Sequence, residues 1–95
     1  MRRITRTDSN HAEIVRALRE MGWSVFDTHT RGADYPDLTV GRNGVTILIE
    51  VVGTDAAPHT VREHEARREG WKGGQWLIVA DVPDLLRQLG VDVQA

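Results

Sequence analysis

A chain of 95 residues with a net charge of −2 and no cysteine is sized for one domain burying roughly 60–65% of its unfolded surface, and it excludes disulfides and thiolate metal sites. The overall charge exerts no general pull toward nucleic acid, yet eleven of the twelve basic residues are arginines, Lys72 being the only lysine, and arginine suits bidentate phosphate contacts. Met1-Arg-Arg-Ile-Thr-Arg6 carries charge but no apolar h-region, and the most apolar run, residues 45–52, contains Thr46 and Glu50 and is far short of a bilayer span, so a cytoplasmic setting is expected.

Asp8-Ser-Asn10 reads as a helix start, and Ile14, Ala17, Leu18 and Met21 recur at helical spacing before a stop at Gly22. Residues 23–28 read as a strand with Trp23, Val25 and Asp27 on one side, and residues 29–35 as a polar loop containing Gly32. Two β-rich runs, 37–42 and 45–52, follow around Asn43-Gly44. Residues 53–59 read as a loop, and Thr60-Val-Arg-Glu63 as a capping box that opens a second helix ending near Gly70. Gln75-Trp-Leu-Ile-Val-Ala80 is a nearly continuous apolar run that suits a buried strand. A last helix is predicted over 82–89, with Pro83 in its first turn and Gly90 closing it. The predicted order, α-β-β-β-α-β-α, describes a single α/β (α+β) domain over residues 1–95, a mixed sheet flanked by helices.

The central hairpin carries the chemistry. Asn43-Gly44 is a strong signal for a type I′ turn, which needs positive φ at both positions. With those two residues as the loop, Arg42 pairs with Val45 and Asp37 comes opposite Glu50. Asp37, Thr39, Thr46, Leu48, Glu50 and Val52 then share one face, while Leu38, Val40, Ile47, Ile49 and Val51 share the core face. Like charges directly opposite on a sheet are destabilising, and a divalent metal ion between them is the simplest remedy. Two plainer readings stand beside it: Asp37 merely begins a strand after Pro36 and Glu50 points into water, or a one-residue slip in the turn puts the acids on opposite faces.

The second helix has a polar inner stripe. Val61, His64, Glu65, Arg68 and Trp71 fall on one side at steps of three or four residues. With Val61 and Trp71 as anchors, His64 and Arg68 are expected to face the protein; a helix with so polar an inner stripe either lies loosely on the surface or covers a polar site, and the loop leading directly from the strand of Glu50 favours the second.

Together these residues resemble the PD-(D/E)XK nucleases and, more narrowly, the small phage and bacterial VRR-NUC domains related to Holliday-junction resolvases. The resemblance rests on Asn10-His-Ala-Glu13-Ile-Val-Arg-Ala-Leu18, Pro36-Asp37-Leu38, Leu48-Ile-Glu50-Val51, and on Thr60, Glu63, Glu65 and Trp71. It implies a restriction-endonuclease-like domain in which Asp37 and Glu50 bind Mg²⁺ or Mn²⁺, the Val51 carbonyl is a further ligand, and Glu13 completes the acidic cluster. Oxygen ligands suit those ions, which neutralise a scissile phosphate and activate water. Glu13 has a second reading: with Asn10 as N-cap, it completes an ordinary capping box.

One departure bears on activity. The family pattern ends in lysine and this chain has Val52, whose isopropyl group can neither polarise water nor hold phosphate. Three accounts are open: another residue supplies the cation, with His64, where relatives tend to carry glutamine, ahead of Arg68 and Lys72; the domain binds without cutting; or the lysine was deliberately removed. The resemblance implies cleavage of branched or flapped DNA, or binding to it, with Arg31, Arg62 and Arg68 on phosphates, which reads shape rather than sequence. It also suggests a homodimer, by analogy only. His11, His29 and His59 show no metal-ligand spacing and take no role in this reading.

Overall fold

A computed structural model describes residues 6–31, 35–53 and 57–90. The elements run α1 (Arg6–Glu20), β1 (Ser24–Asp27), β2 (Leu38–Arg42), β3 (Val45–Val51), α2 (Pro58–Gly70), β4 (Trp76–Val79) and α3 (Val82–Leu89). The predicted order is therefore the observed one. The four strands form one mixed sheet in the order β1-β2-β3-β4. The first two pairings are antiparallel and the third is parallel, with α2 supplying the crossover that a parallel pair needs. No helix among the described residues is long and apolar enough to cross a membrane.

The hairpin register is the predicted one: Arg42 pairs with Val45, and Leu38 with Ile49. Asn43 and Gly44 both have positive φ, 54° and 80°, as a type I′ turn demands. Register also assigns the faces. Val25, Asp27, Leu38, Val40, Ile47, Ile49, Val51, Leu77 and Val79 point to one side of the sheet. On that side α1 and α3 supply Ile14, Leu18 and Leu85 to a common buried core. α2 covers part of the other side, the side of Leu48, Glu50, Trp76 and Ile78.

Two helix starts differ from the sequence reading. The first helix begins at Arg6, not near Asn10. Asn10 is inside it, and its Nδ2 donates to the Ala80 carbonyl at 2.8 Å, tying α1 to the exit of β4. The capping-box reading of Glu13 falls with that N-cap. The second helix begins at Pro58, with Ala57 as an N-cap that offers no side chain; proline is well suited to the first turn. Thr60 is thus helical and its amide bonds back to Ala57, so the Thr60–Glu63 capping box does not form. The third helix matches its prediction, with Asp81 accepting from the Asp84 amide and Gly90 closing it at φ 80°, the left-handed cap that favours glycine. Gly32 and residues 54–56 of the predicted loops, and Arg2 and Arg3, lie outside the described residues.

Candidate functional site

β3 ends where β2 begins, so the C-terminal end of one strand meets the N-terminal approach to the other. The last β2–β3 register pair is Leu38 with Ile49. One step further, the Asp37 side chain takes over: its Oδ2 accepts a hydrogen bond from the Val51 amide at 2.7 Å. A charge-assisted bond of this type is worth about 1.5–3 kcal/mol. Thr28 fixes the other side of Asp37, donating from its amide to the Asp37 carbonyl at 2.9 Å and from Oγ1 to the Pro36 carbonyl at 2.7 Å. In an extended strand the N–H and C=O of one residue project to the same side, so the Val51 carbonyl also faces the β2 side, beside Asp37.

Glu50 is the one charged residue buried among those described, at 1% exposure. A buried carboxylate requires partners, and α2 delivers two of them. His64 Nδ1 lies 2.9 Å from Oε2, and Arg67 Nη2 lies 3.3 Å from Oε1. Arg67 Nη2 is also 2.7 Å from His64 Nδ1. One imidazole nitrogen cannot both donate to Glu50 and accept from Arg67, so only one of these two contacts is a hydrogen bond at a time. Burial pushes the Glu50 carboxyl up; the His64 charge opposes it, the Asp37 carboxylate adds to it, and Arg67 opposes it again. The balance stays above the ordinary glutamate range. Arg67 Nε is itself buried without a partner, a polar atom left over on the inner face of α2.

The expected site residues divide accordingly. Asp37 and Glu50 come together on one face, and His64 reaches Glu50 as the inner stripe implied. Val52 is buried at 6% exposure, its amide donating to the Val79 carbonyl. Glu13 lies on α1, across the sheet from Glu50, with an exposed side chain. Arg31, Arg62 and Arg68 are exposed. The placement of Arg68 corrects the inner stripe: the arginine facing the protein is Arg67, one position earlier. Both residues lie at allowed helical spacing from His64 and Trp71, so periodicity alone cannot separate them. The signal that separates them is chemical, since a buried glutamate must find a cation nearby. Trp71 is also more open than an anchor, at 44% exposure, and it packs edge-on against Trp76 while its indole N–H donates to the Gly74 carbonyl. Lys72 is exposed on the following turn.

Two further groupings lie away from these carboxylates. A surface depression lined by Gly22, Arg42, Asn43 and Thr46 sits at the turn end of the hairpin, the opposite end of β3 from Glu50. On the α1 side of the sheet, His11, Asp27 and His29 converge, although their sequence spacing gives no sign of it.

No protein-family model matches the chain, and no curated protein or solved structure matches it.

Proposed function

We propose that the face carrying Asp37 and Glu50 is a divalent-cation and phosphodiester site, and that the chain is a metal-dependent, structure-specific DNA endonuclease weakened at position 52. The observation that carries this reading is the pairing of two acids at one strand end. Asp37 is pinned by the Val51 amide, and Glu50 is buried beside it with its carboxyl pushed up, in part by the Asp37 charge. A fold does not bring two such groups together cheaply. The motif order, Pro36-Asp37 and then Glu50-Val51 across a hairpin, resembles the PD-(D/E)XK and VRR-NUC nucleases and supports the same reading.

The donor set fits the ion. Asp37, Glu50 and the Val51 carbonyl offer only oxygen, which suits Mg²⁺ or Mn²⁺. When bound there, such an ion supplies neutralisation of the phosphate and acidification of an attacking water. Within the chain, Asp37 holds its position through Val51 and Thr28. His64 and Arg67 hold Glu50, the Arg67 guanidinium presents positive charge beside the scissile group, and Arg31, Arg62 and Arg68 are exposed to contact phosphates. A homodimer with two such faces would suit a junction with two equivalent strands.

A second reading has its own support. Both Glu50 oxygens are already occupied, one by His64 and the other by Arg67, and the lysine position is a buried valine, so the face would bind DNA without cutting it. The deciding experiment is cleavage of labelled four-way junction, flap and linear duplex DNA with Mn²⁺, comparing this chain with Val52→Lys. The endonuclease reading expects cutting by the variant, or by both proteins with His64 or Arg67 as the substitute cation. Binding that survives chelation, with no cleavage by either protein, selects the binding module instead.

A further inference from the structure

On the side of the sheet away from Glu50, three side chains from three segments meet at one point. Asp27 ends β1 and faces α1, because it shares a register row with Leu38 and Ile49. His11, on the first half of α1, brings its Nε2 to 3.0 Å from Asp27 Oδ2. His29, two residues beyond Asp27, brings its Nδ1 against the other oxygen, Oδ1. The two rings lie edge to face with centroids 4.9 Å apart. One ligand atom from each residue falls within 4.8 Å of the other two.

We propose that His11, Asp27 and His29 form a binding site for a borderline divalent transition-metal ion, with Zn²⁺ the best fit. Two imidazoles and one carboxylate form a donor set that zinc favours, whereas Mg²⁺ demands oxygen. Ligand atoms about 2.0–2.1 Å from a tetrahedral ion stand roughly 3.3 Å apart, close to the 3.0 Å already present between His11 and Asp27. The ring of His11 is held by packing, with 16% of its side chain exposed, while the His29 side chain is 48% exposed. One ligand is therefore preset by the helix, and the open side leaves a fourth position for water or a substrate atom, as in three-ligand zinc sites.

The site has a structural consequence. Thr28 lies between Asp27 and His29, and its two hydrogen bonds hold the Pro36 and Asp37 carbonyls. An ion that fixes Asp27 and His29 thereby fixes the backbone that presents Asp37 on the other face. The donor sets of the two faces share no residue, so the zinc proposal does not rest on the nuclease reading.

The test is titration of the chelator-stripped chain with Zn²⁺ and with Co²⁺, by calorimetry and by the visible absorption of Co²⁺. His29→Ala, Asp27→Asn and Asp37→Ala are run in parallel, with circular dichroism confirming the fold of each. His29 is exposed, so His29→Ala removes a ligand without opening the core. The expected result is a tetrahedral Co²⁺ spectrum displaced by Zn²⁺, lost in His29→Ala, and a Zn²⁺ affinity weakened by about 100-fold or more in His29→Ala and Asp27→Asn. Asp37→Ala should bind Zn²⁺ within about threefold of the parent, because its carboxylate is not in the donor set. The proposal is overturned if the parent chain binds no Zn²⁺, which would leave the cluster a hydrogen-bonded trio. It is equally overturned if His29→Ala binds Zn²⁺ as tightly as the parent.

Discussion

Replacing Arg67 with alanine tests how the fold keeps a carboxylate buried. The Glu50 side chain is 2% exposed, and its partners are His64, 17% exposed, and Arg67, 31% exposed. Removing one partner from a fully buried ion pair costs roughly 3–5 kcal/mol. Water reaches part of the Arg67 side chain and His64 stays in place, so the expected loss at pH 7 is nearer to about 2 kcal/mol. For a domain of this length that lowers Tm by about 8–16 °C.

The pH dependence gives the prediction its sign. The folded-state pKa of Glu50 is raised, so its stabilising contribution is complete below the ordinary glutamate value. It is lost as pH rises through the folded value. Arg67 is one of the groups that hold that value down. Without Arg67 the value climbs further, and the deficit of Arg67→Ala is largest at neutral pH. The deficit shrinks as acid protonates Glu50, because a neutral carboxyl no longer needs the guanidinium. Urea and thermal unfolding at pH 7 and pH 4, in chelating buffer, measure both effects. An equal Tm for variant and parent at pH 7 refutes the reasoning. So does a deficit of the same size at both pH values, or one unchanged in a Glu50→Gln background, where the charge to be compensated is gone.

Two further outcomes are expected. Asp37→Ala should abolish Mn²⁺ binding at the proposed nuclease face, and it should also lose the Val51 hydrogen bond; unchanged Mn²⁺ affinity by calorimetry removes Asp37 from the donor set. Asp27→Asn, in metal-free buffer, should flatten the acid limb of the stability profile. Partial burial pushes the Asp27 carboxyl up, but hydrogen bonds from His29 and His11 and the charge of His11 outweigh it and hold the carboxyl below the ordinary value. Its contribution is therefore present above the ordinary aspartate value and lost as pH falls through the lowered one; an identical acid limb in the asparagine variant counts against that balance.

Local rules carried the sequence reading a long way. Period-2 alternation from Leu38 to Val51, with Asn43-Gly44 between the strands, determined the hairpin, its register and its core face, because a type I′ turn leaves the chain one pairing that buries Val40, Ile47 and Ile49. Pro83 and Gly90 similarly marked the last helix, one in its first turn and the other at its left-handed stop. The pairing of Asp37 with Glu50 belongs to this class, being a consequence of register. Other features depended on how distant segments dock. Helical spacing admitted Arg67 and Arg68 equally, and the seating of α2 over β3 and β4 selected Arg67. The convergence of His11 with Asp27 and His29 spans α1 and the end of β1, and it exists because α1 packs on the sheet face that register gives to Asp27. Asn10 looked like a cap in the sequence and is instead a clasp on Ala80, seventy residues away. Periodicity and turn chemistry report what a segment does with its neighbours in sequence, whereas these contacts are set by which layers of the fold meet.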